Sequence, residues 1–231
     1  MGRHTQLIAL LAVGAAAALF ASPPPALALS VGVYGTAGGG LADWRNSDFA
    51  GFDDRRDTRH GGAGLVLDTA SPFTPLNYRL SIGWERITHE AAAGGPGLKM
   101  EGVVVDQDLT VNLVYGPGPL RMWAGPELRL AFLNGSPDGA PGPEQDFLAL
   151  GIGPVLGFDF AVGPSMAISW KLGYLVTGYA GRGRSSFNDD RDSSAGEGHA
   201  YASLAILFNT WGGYPDQRRP ETRQEPYPRR W

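Results

Sequence analysis

Residues 120–133 read LRMWAGPELRLAFL. Taken at every second position, Leu120, Met122, Ala124, Leu128, Leu130 and Phe132 make one apolar face, while Arg121, Gly125, Glu127 and Arg129 make the other. A period of two is the mark of a β-strand, whose successive side chains point to opposite sides of a sheet. The second face mixes glycine with charges of both signs. A soluble barrel is polar outside and apolar within. In a small membrane barrel the interior is instead filled by side chains, so inward glycines leave room for bulky or charged groups reaching across.

The same alternation recurs along the chain, and no stretch after residue 28 shows sustained helical spacing of apolar residues. Eight segments stand out: 29–39, 60–69, 77–89, 100–115, 120–133, 147–160, 166–179 and 199–209. Most exceed the usual five or six residues of a soluble strand and reach the 9–11 that a tilted strand needs to cross a bilayer. In the third, Tyr78, Leu80, Ile82 and Trp84 oppose Arg79, Ser81, Gly83 and Glu85; in the fourth, Val105, Leu109, Val111 and Leu113 oppose Asp106, Asp108, Thr110 and Asn112. The sixth sets Ile152, Leu156, Phe158 and Phe160 against Gly151, Gly153, Gly157 and Asp159, and the seventh sets Ile168, Trp170, Leu172 and Tyr174 against Ser169, Lys171, Gly173 and Thr177.

Connections alternate between long (40–59, 90–99, 134–146, 180–198) and short (70–76, 116–119, 161–165). Short periplasmic turns and long outer loops are the expected asymmetry of an outer-membrane barrel, and they put both chain ends in the periplasm. The expected fold is therefore all-β, an eight-stranded antiparallel up-and-down transmembrane β-barrel. Centring the short turns sets Asp68 opposite Arg79 and Asp106 opposite Arg129, and centring the third long loop sets Arg121 beside Asp159. With Glu85, Asp108, Glu127 and Lys171, these residues form the expected polar interior, a salt-bridged plug rather than a pore. Pro126 and Pro154, each preceded by glycine, fall at one height on neighbouring strands; a shared bulge or local opening is expected there, with a water or side chain satisfying the freed carbonyls.

Export is read from the N-terminus. Arg3, the apolar run 7–20, three prolines at 23–25 and the small-x-small Ala26-Leu27-Ala28 form a secretory signal peptide over residues 1–28, with cleavage before Leu29. The barrel then occupies 29–209, and residues 210–231 form a Pro/Arg-rich periplasmic tail expected to be extended or disordered. The chain has no cysteine, which excludes disulfides, a lipid-anchoring cysteine and cysteine zinc sites. A formal charge of -4 argues against nucleic acid as a partner.

On the phrases GPELRLAF, GIGPVLGFDF and KLGYLVTGY and the layout of residues 29–208, the chain resembles the small outer-membrane β-barrel proteins, the group of opacity-type and OmpA-like barrel domains. The resemblance implies an outer-membrane address, contact with lipid and lipopolysaccharide, no cofactor, and a terminal strand signal read by the outer-membrane assembly machinery. Leu204, Ile206 and Phe208 match that signal, although here a tail follows it.

Three histidines remain after export, His60, His89 and His199, all at outer ends of strands. His60 and His199 near Ser193, Ser194 and Asp192 raise a serine/histidine/acid arrangement, but no histidine-x-serine pattern resembling lipid A deacylases is present. Asp53 and Asp54, and Asp189, Asp190 and Asp192, are oxygen-rich yet lack EF-hand spacing. Arg55, Arg56, Arg59, Arg182, Arg184 and Arg191 read as mixed-charge loop residues or lipid-phosphate contacts, and Asn134-Gly135 as a turn pair. No catalytic, cofactor or metal site is assigned. The reading is a monomeric, non-enzymatic surface protein with its long loops as structural or interaction surface; the rivals are a lipid A-modifying enzyme and a narrow solute channel.

Overall fold

The computed structural model describes residues 29–45, 55–69, 75–90, 97–114, 119–138, 144–163, 165–184 and 190–209. The signal segment, the tail, and Asp53, Asp54 and Asp189 lie outside the described residues, as do the side chains of Arg182, Arg184, Asp190, Arg191 and Asp192. Eight strands run β1 (Ser30–Arg45), β2 (Arg55–Asp68), β3 (Leu76–His89), β4 (Gly97–Val114), β5 (Leu120–Asp138), β6 (Gln145–Gly163), β7 (Met166–Arg184) and β8 (Asp190–Asn209). Each pairs antiparallel with its sequence neighbours, and β8 returns to β1 to close the barrel. From Gly35 the partners run Ala63, Trp84, Val103, Phe132, Leu148, Ala180, Ser194 and back to β1 at Arg45, ten residues further along. Eight strands with this stagger tilt by about 40° from the barrel axis.

At the turn end the strands stop within a few residues of the sequence expectation, but at the loop end they run further. β4 begins at Gly97, β6 at Gln145, β2 at Arg55 and β8 at Asp190, while β5 continues to Asp138. Asn134-Gly135 is thus not a turn but part of the β5 ladder against β4 and β6. The physical reason is an inversion of the two faces. Around the middle, outward positions such as Ile82, Trp84, Leu109, Leu128, Ile152, Trp170 and Leu172 are exposed and apolar, and inward positions are charged. Near the loop end the same alternation continues with the roles exchanged. Asp43, Asp57, Arg59, Arg86, Lys99, Glu101 and Asp146 turn outward, while Trp44, Ile87, Leu98, Met100, Leu133 and Phe147 are buried inside. A search for one apolar face loses the strand where the polarity flips.

Inward glycines fit side chains from neighbouring strands. A Cβ on Gly157 would overlap the Trp123 ring, one on Gly173 would overlap Tyr201, and Gly135 and Gly181 flank Phe147 in the same way. The prolines meet the expectation of a local opening and not that of a bulge. Pro126 and Pro154 are direct partners, at the expected shared height, but no residue is inserted and the register does not shift there. The ladders beyond them skip two pairs each, between Glu127 and Ala124 against β4 and between Ile152 and Val155 against β7. The carbonyls of Leu109 and Tyr174 come to lie over Gly125 and Gly153, closer than any Cβ would allow. No bulge forms; the skipped pairs are a local opening of the ladders to β4 and β7 beside the two prolines. Register shifts occur instead at turn ends, between Asn112 and Val114 and between Ala161 and Gly163.

Gly157→Ala, forced against the buried Trp123, should lower the unfolding free energy by about 1–3 kcal/mol through overpacking. Gly178→Ala, where an added Cβ meets nothing within 4 Å, should be near neutral. Urea unfolding of both variants in lipid vesicles, followed by tryptophan fluorescence, checks the contrast.

Candidate functional site

The lumen is filled in tiers. All ten residues of the expected interior network point inward and are buried. At the turn end, Arg79 meets Asp68 at 2.6 Å and Asp159 at 3.3 Å, and Arg121 bonds the same two carboxylates, reaching Asp68 at 3.0 Å. Ser169 accepts from Arg79 at 2.9 Å, Trp123 donates to Asp159 at 3.2 Å, and the Arg79 guanidinium lies 4.5 Å from the Trp123 ring centroid. Two acids and two bases balance here. Above them, Lys171 sits between Asp108 at 3.2 Å and Glu127 at 3.3 Å, with the Tyr201 hydroxyl also on Glu127. Arg129 then joins Asp106 at 2.8 Å and Glu85 at 3.1 Å.

Nearest the loop end of this network lies a cluster that brings together His60 and His199, which the sequence reading paired, but with Glu197 in place of the serines. His60 sits between two carboxylates, Nδ1 at 2.7 Å from Glu85 and Nε2 at 2.7 Å from Glu197. Glu197 also accepts from the hydroxyls of Thr58 and Tyr179. The His199 ring stacks on His60 with centroids 4.2 Å apart. These side chains come from β2 and β8, the two neighbours of β1, and they meet because β1 presents no side chain between them. Gly38 is the partner of His60 and Gly40 the partner of His199. A Cβ on Gly40 would overlap that of His199. The GGG of residues 38–40 is the sequence signal that could have located the cluster.

An apolar and aromatic plug closes the barrel above. Trp44 packs edge-on to His89 and Phe147, stacks with Tyr179, and donates from Nε1 to His89 Nδ1 at 3.3 Å. Arg56, expected on a loop surface, is instead buried at the inward face of β2, with the Glu90 carbonyl 3.5 Å from Nη1. Its neighbours Arg55 and Arg59 are exposed, and Arg59 pairs with Glu90 at 2.5 Å.

The serine/histidine arrangement does not form. Ser193 and His199 both face inward on β8 but are six positions apart, about 20 Å along a strand. Ser193 donates to Gln145 at 2.7 Å, and Ser194 is on the opposite, outward face. Both partners of His60 are carboxylates, not a hydroxyl nucleophile.

No protein-family model and no curated protein matches the chain. Among solved structures it is similar to the outer membrane protein OprG of Pseudomonas aeruginosa, with a TM-score of 0.52, 10% identity, and coverage of 78% of this chain and 95% of that one. Lower superposition scores are found with a major outer membrane protein of Thermus thermophilus (0.44, 13% identity, 77% and 98% coverage) and with Neisserial surface protein A (0.36, 16%, 74% and 96%). At this identity the likeness to OprG is one of fold.

Removing one partner of a buried ion pair strands the others. Arg129→Met should cost about 3–5 kcal/mol of unfolding free energy because Asp106 and Glu85 lose their shared cation. Adding Asp106→Asn should return part of that loss. Equal losses in the single and double variants, measured by urea titration, would count against pairing as the source.

Proposed function

We propose that this protein is an outer-membrane surface protein, a plugged β-barrel anchor that holds its loop-end strand extensions and the four connections between them at the cell exterior as an interaction surface, without enzymatic activity and without a transport path. The observation that carries this reading is the continuity of the filling. Ion pairs occupy the lumen from Asp68 up to Glu197, and Trp44, Phe147 and their neighbours close the loop end. A solute would have to break buried ion pairs, each costly to open.

Three features support the membrane address. The exposed outward belt of Val, Leu, Ile, Phe and Trp side chains encircles the strands where the lumen is charged, the arrangement expected of a barrel solvated by lipid. The outward charges of Arg59, Arg86, Lys99 and Glu101 begin where that belt ends, at the level of lipid headgroups and lipopolysaccharide phosphates. The fold likeness to OprG is a third support. The proposed orientation places the short turns and both chain ends in the periplasm and residues 46–54, 91–96, 139–143 and 185–189 outside, a monomer exposing connections suited to recognition.

Purified protein in planar bilayers should show no steady conductance, and lipopolysaccharide incubated with it should keep its mass. Stepwise conductance would support the channel reading, and a lost or added acyl chain the enzyme. An epitope inserted within residues 46–54 should be reached by antibody on intact cells; one inserted within 70–74 should be reached only after permeabilisation.

A further inference from the structure

The cluster beneath the plug has a composition that the anchor role does not require. His60, His199 and Glu197 offer one ligand atom each within 4.8 Å of one another, and all three residues are buried. His199 Nδ1 has no hydrogen-bond partner although its side chain is 1% exposed, and it is directed at Glu197, 3.9 Å from Oε1. Thr177, opposite Glu197 on β7 and also facing inward, has a buried hydroxyl oxygen without a partner. Six buried side-chain polar atoms among the described residues lack a partner, two of them in this cluster, and each calls for a ligand or another physical reason.

The surroundings resemble those of a metal-binding histidine. Such a histidine usually gives its second ring nitrogen to a carboxylate, which fixes the ring and raises its basicity. His60 does this through Nδ1 to Glu85, itself held by Arg129, whereas His199 Nε2 lies 3.5 Å from Arg129 Nη1 and has no such carboxylate. Glu197 is fixed in turn by the Thr58 and Tyr179 hydroxyls. The charge balance points the same way. Glu85, Asp106, Asp108, Glu127 and Glu197 face two permanent cations in these tiers, Arg129 and Lys171, with Arg56 a level higher.

We propose that His60 Nε2, His199 Nδ1 and Glu197 Oε1 bind a divalent transition-metal ion of the zinc class, which joins β2 to β8 across the glycines of β1. Two imidazoles and a carboxylate are the donor set such ions select. Coordination displaces the proton shared by His60 Nε2 and Glu197, which passes to solvent; the proton on His199 Nδ1 moves to Nε2, and the Arg129 guanidinium, 3.5 Å from Nε2, turns away from it. Tetrahedral zinc with bonds of about 2.0–2.1 Å keeps its ligand atoms about 3.3 Å apart. The 2.7 Å between His60 and Glu197 must therefore widen by a few tenths of an ångström, and one ring must turn out of the stack. Because the Trp44 plug covers the site, the ion enters as the barrel closes, and its role is to lock that closure.

The test is to refold the full mature chain into detergent with zinc chloride or cobalt chloride, remove loose metal with a chelator, and measure the retained ion by elemental analysis. The expected result is about one ion per folded barrel, with cobalt giving the visible absorption of a tetrahedral nitrogen and oxygen site. His199→Ala and Glu197→Gln should lose it, and Glu85→Gln should bind ten- to a hundredfold more weakly. Wild-type protein that folds but retains no ion overturns the proposal. So does equal retention by His199→Ala with an intact barrel, confirmed by circular dichroism. The wild-type measurement stands even if a variant fails to fold.

Discussion

A charge inside a closed barrel has no edge strand to exchange with and no bulk water to turn to, so a partner must reach it from another wall. That constraint organises this protein. It explains why Asp68 and Asp159 are shared by two arginines from β3 and β5, and why Lys171 from β7 lies between acids of β4 and β5. These bonds cross the lumen, whereas the ladder only runs around it. They tie strands distant in sequence, such as β3 to β7 through Arg79 and Ser169. Buried ion pairs of this kind are weak as net stabilisers but strongly resist loss of one member, so they specify the stagger of the barrel more than they strengthen it.

The second organising feature is the exchange of faces near the loop end. Over one stretch of β4 the inward residues are Asp106 and Asp108; a few positions nearer the loop they are Leu98 and Met100, with Lys99 and Glu101 outside. One continuous strand thus carries two outward surfaces, apolar along the belt and charged beyond it. The His60, His199 and Glu197 cluster lies at the junction, between the ion pairs and the aromatic plug.

Much of this was legible in the sequence. Strand number, the identity of each face, the pairs Asp68–Arg79, Asp106–Arg129 and Arg121–Asp159, and the shared height of Pro126 and Pro154 follow from period two and from the short turns, since a slip of one residue would reverse every face. What stayed hidden was the acid partner and the route: the sequence set His60 and His199 beside Ser193 and Ser194, whereas contacts over β1 bring them to Glu197. His60 and His199 are far apart in sequence and on strands that do not pair with each other, and the signal joining them is an absence of side chains at Gly38 and Gly40. The prolines were read in part: their missing donors pointed to the gaps seen in the ladders to β4 and β7, but not to strands that keep their register without an inserted residue. Arg56 misled because a charge beside a loop reads as solvated until the strand is seen to begin at Arg55.

The central claim is that a plugged barrel lies in lipid up to the level where its faces exchange. The chain has no native cysteine, so single nitroxide labels can be placed at will. Labels at Lys99→Cys, Glu101→Cys, Val103→Cys and Leu109→Cys sample the outward face of β4, and Thr110→Cys its inward face. In lipid vesicles, collision rates with oxygen and with a water-soluble nickel complex should switch between Glu101→Cys and Val103→Cys, the first two positions favouring nickel and the last two oxygen, with Thr110→Cys reached by neither. Nickel access at Leu109→Cys or at Thr110→Cys would contradict the account.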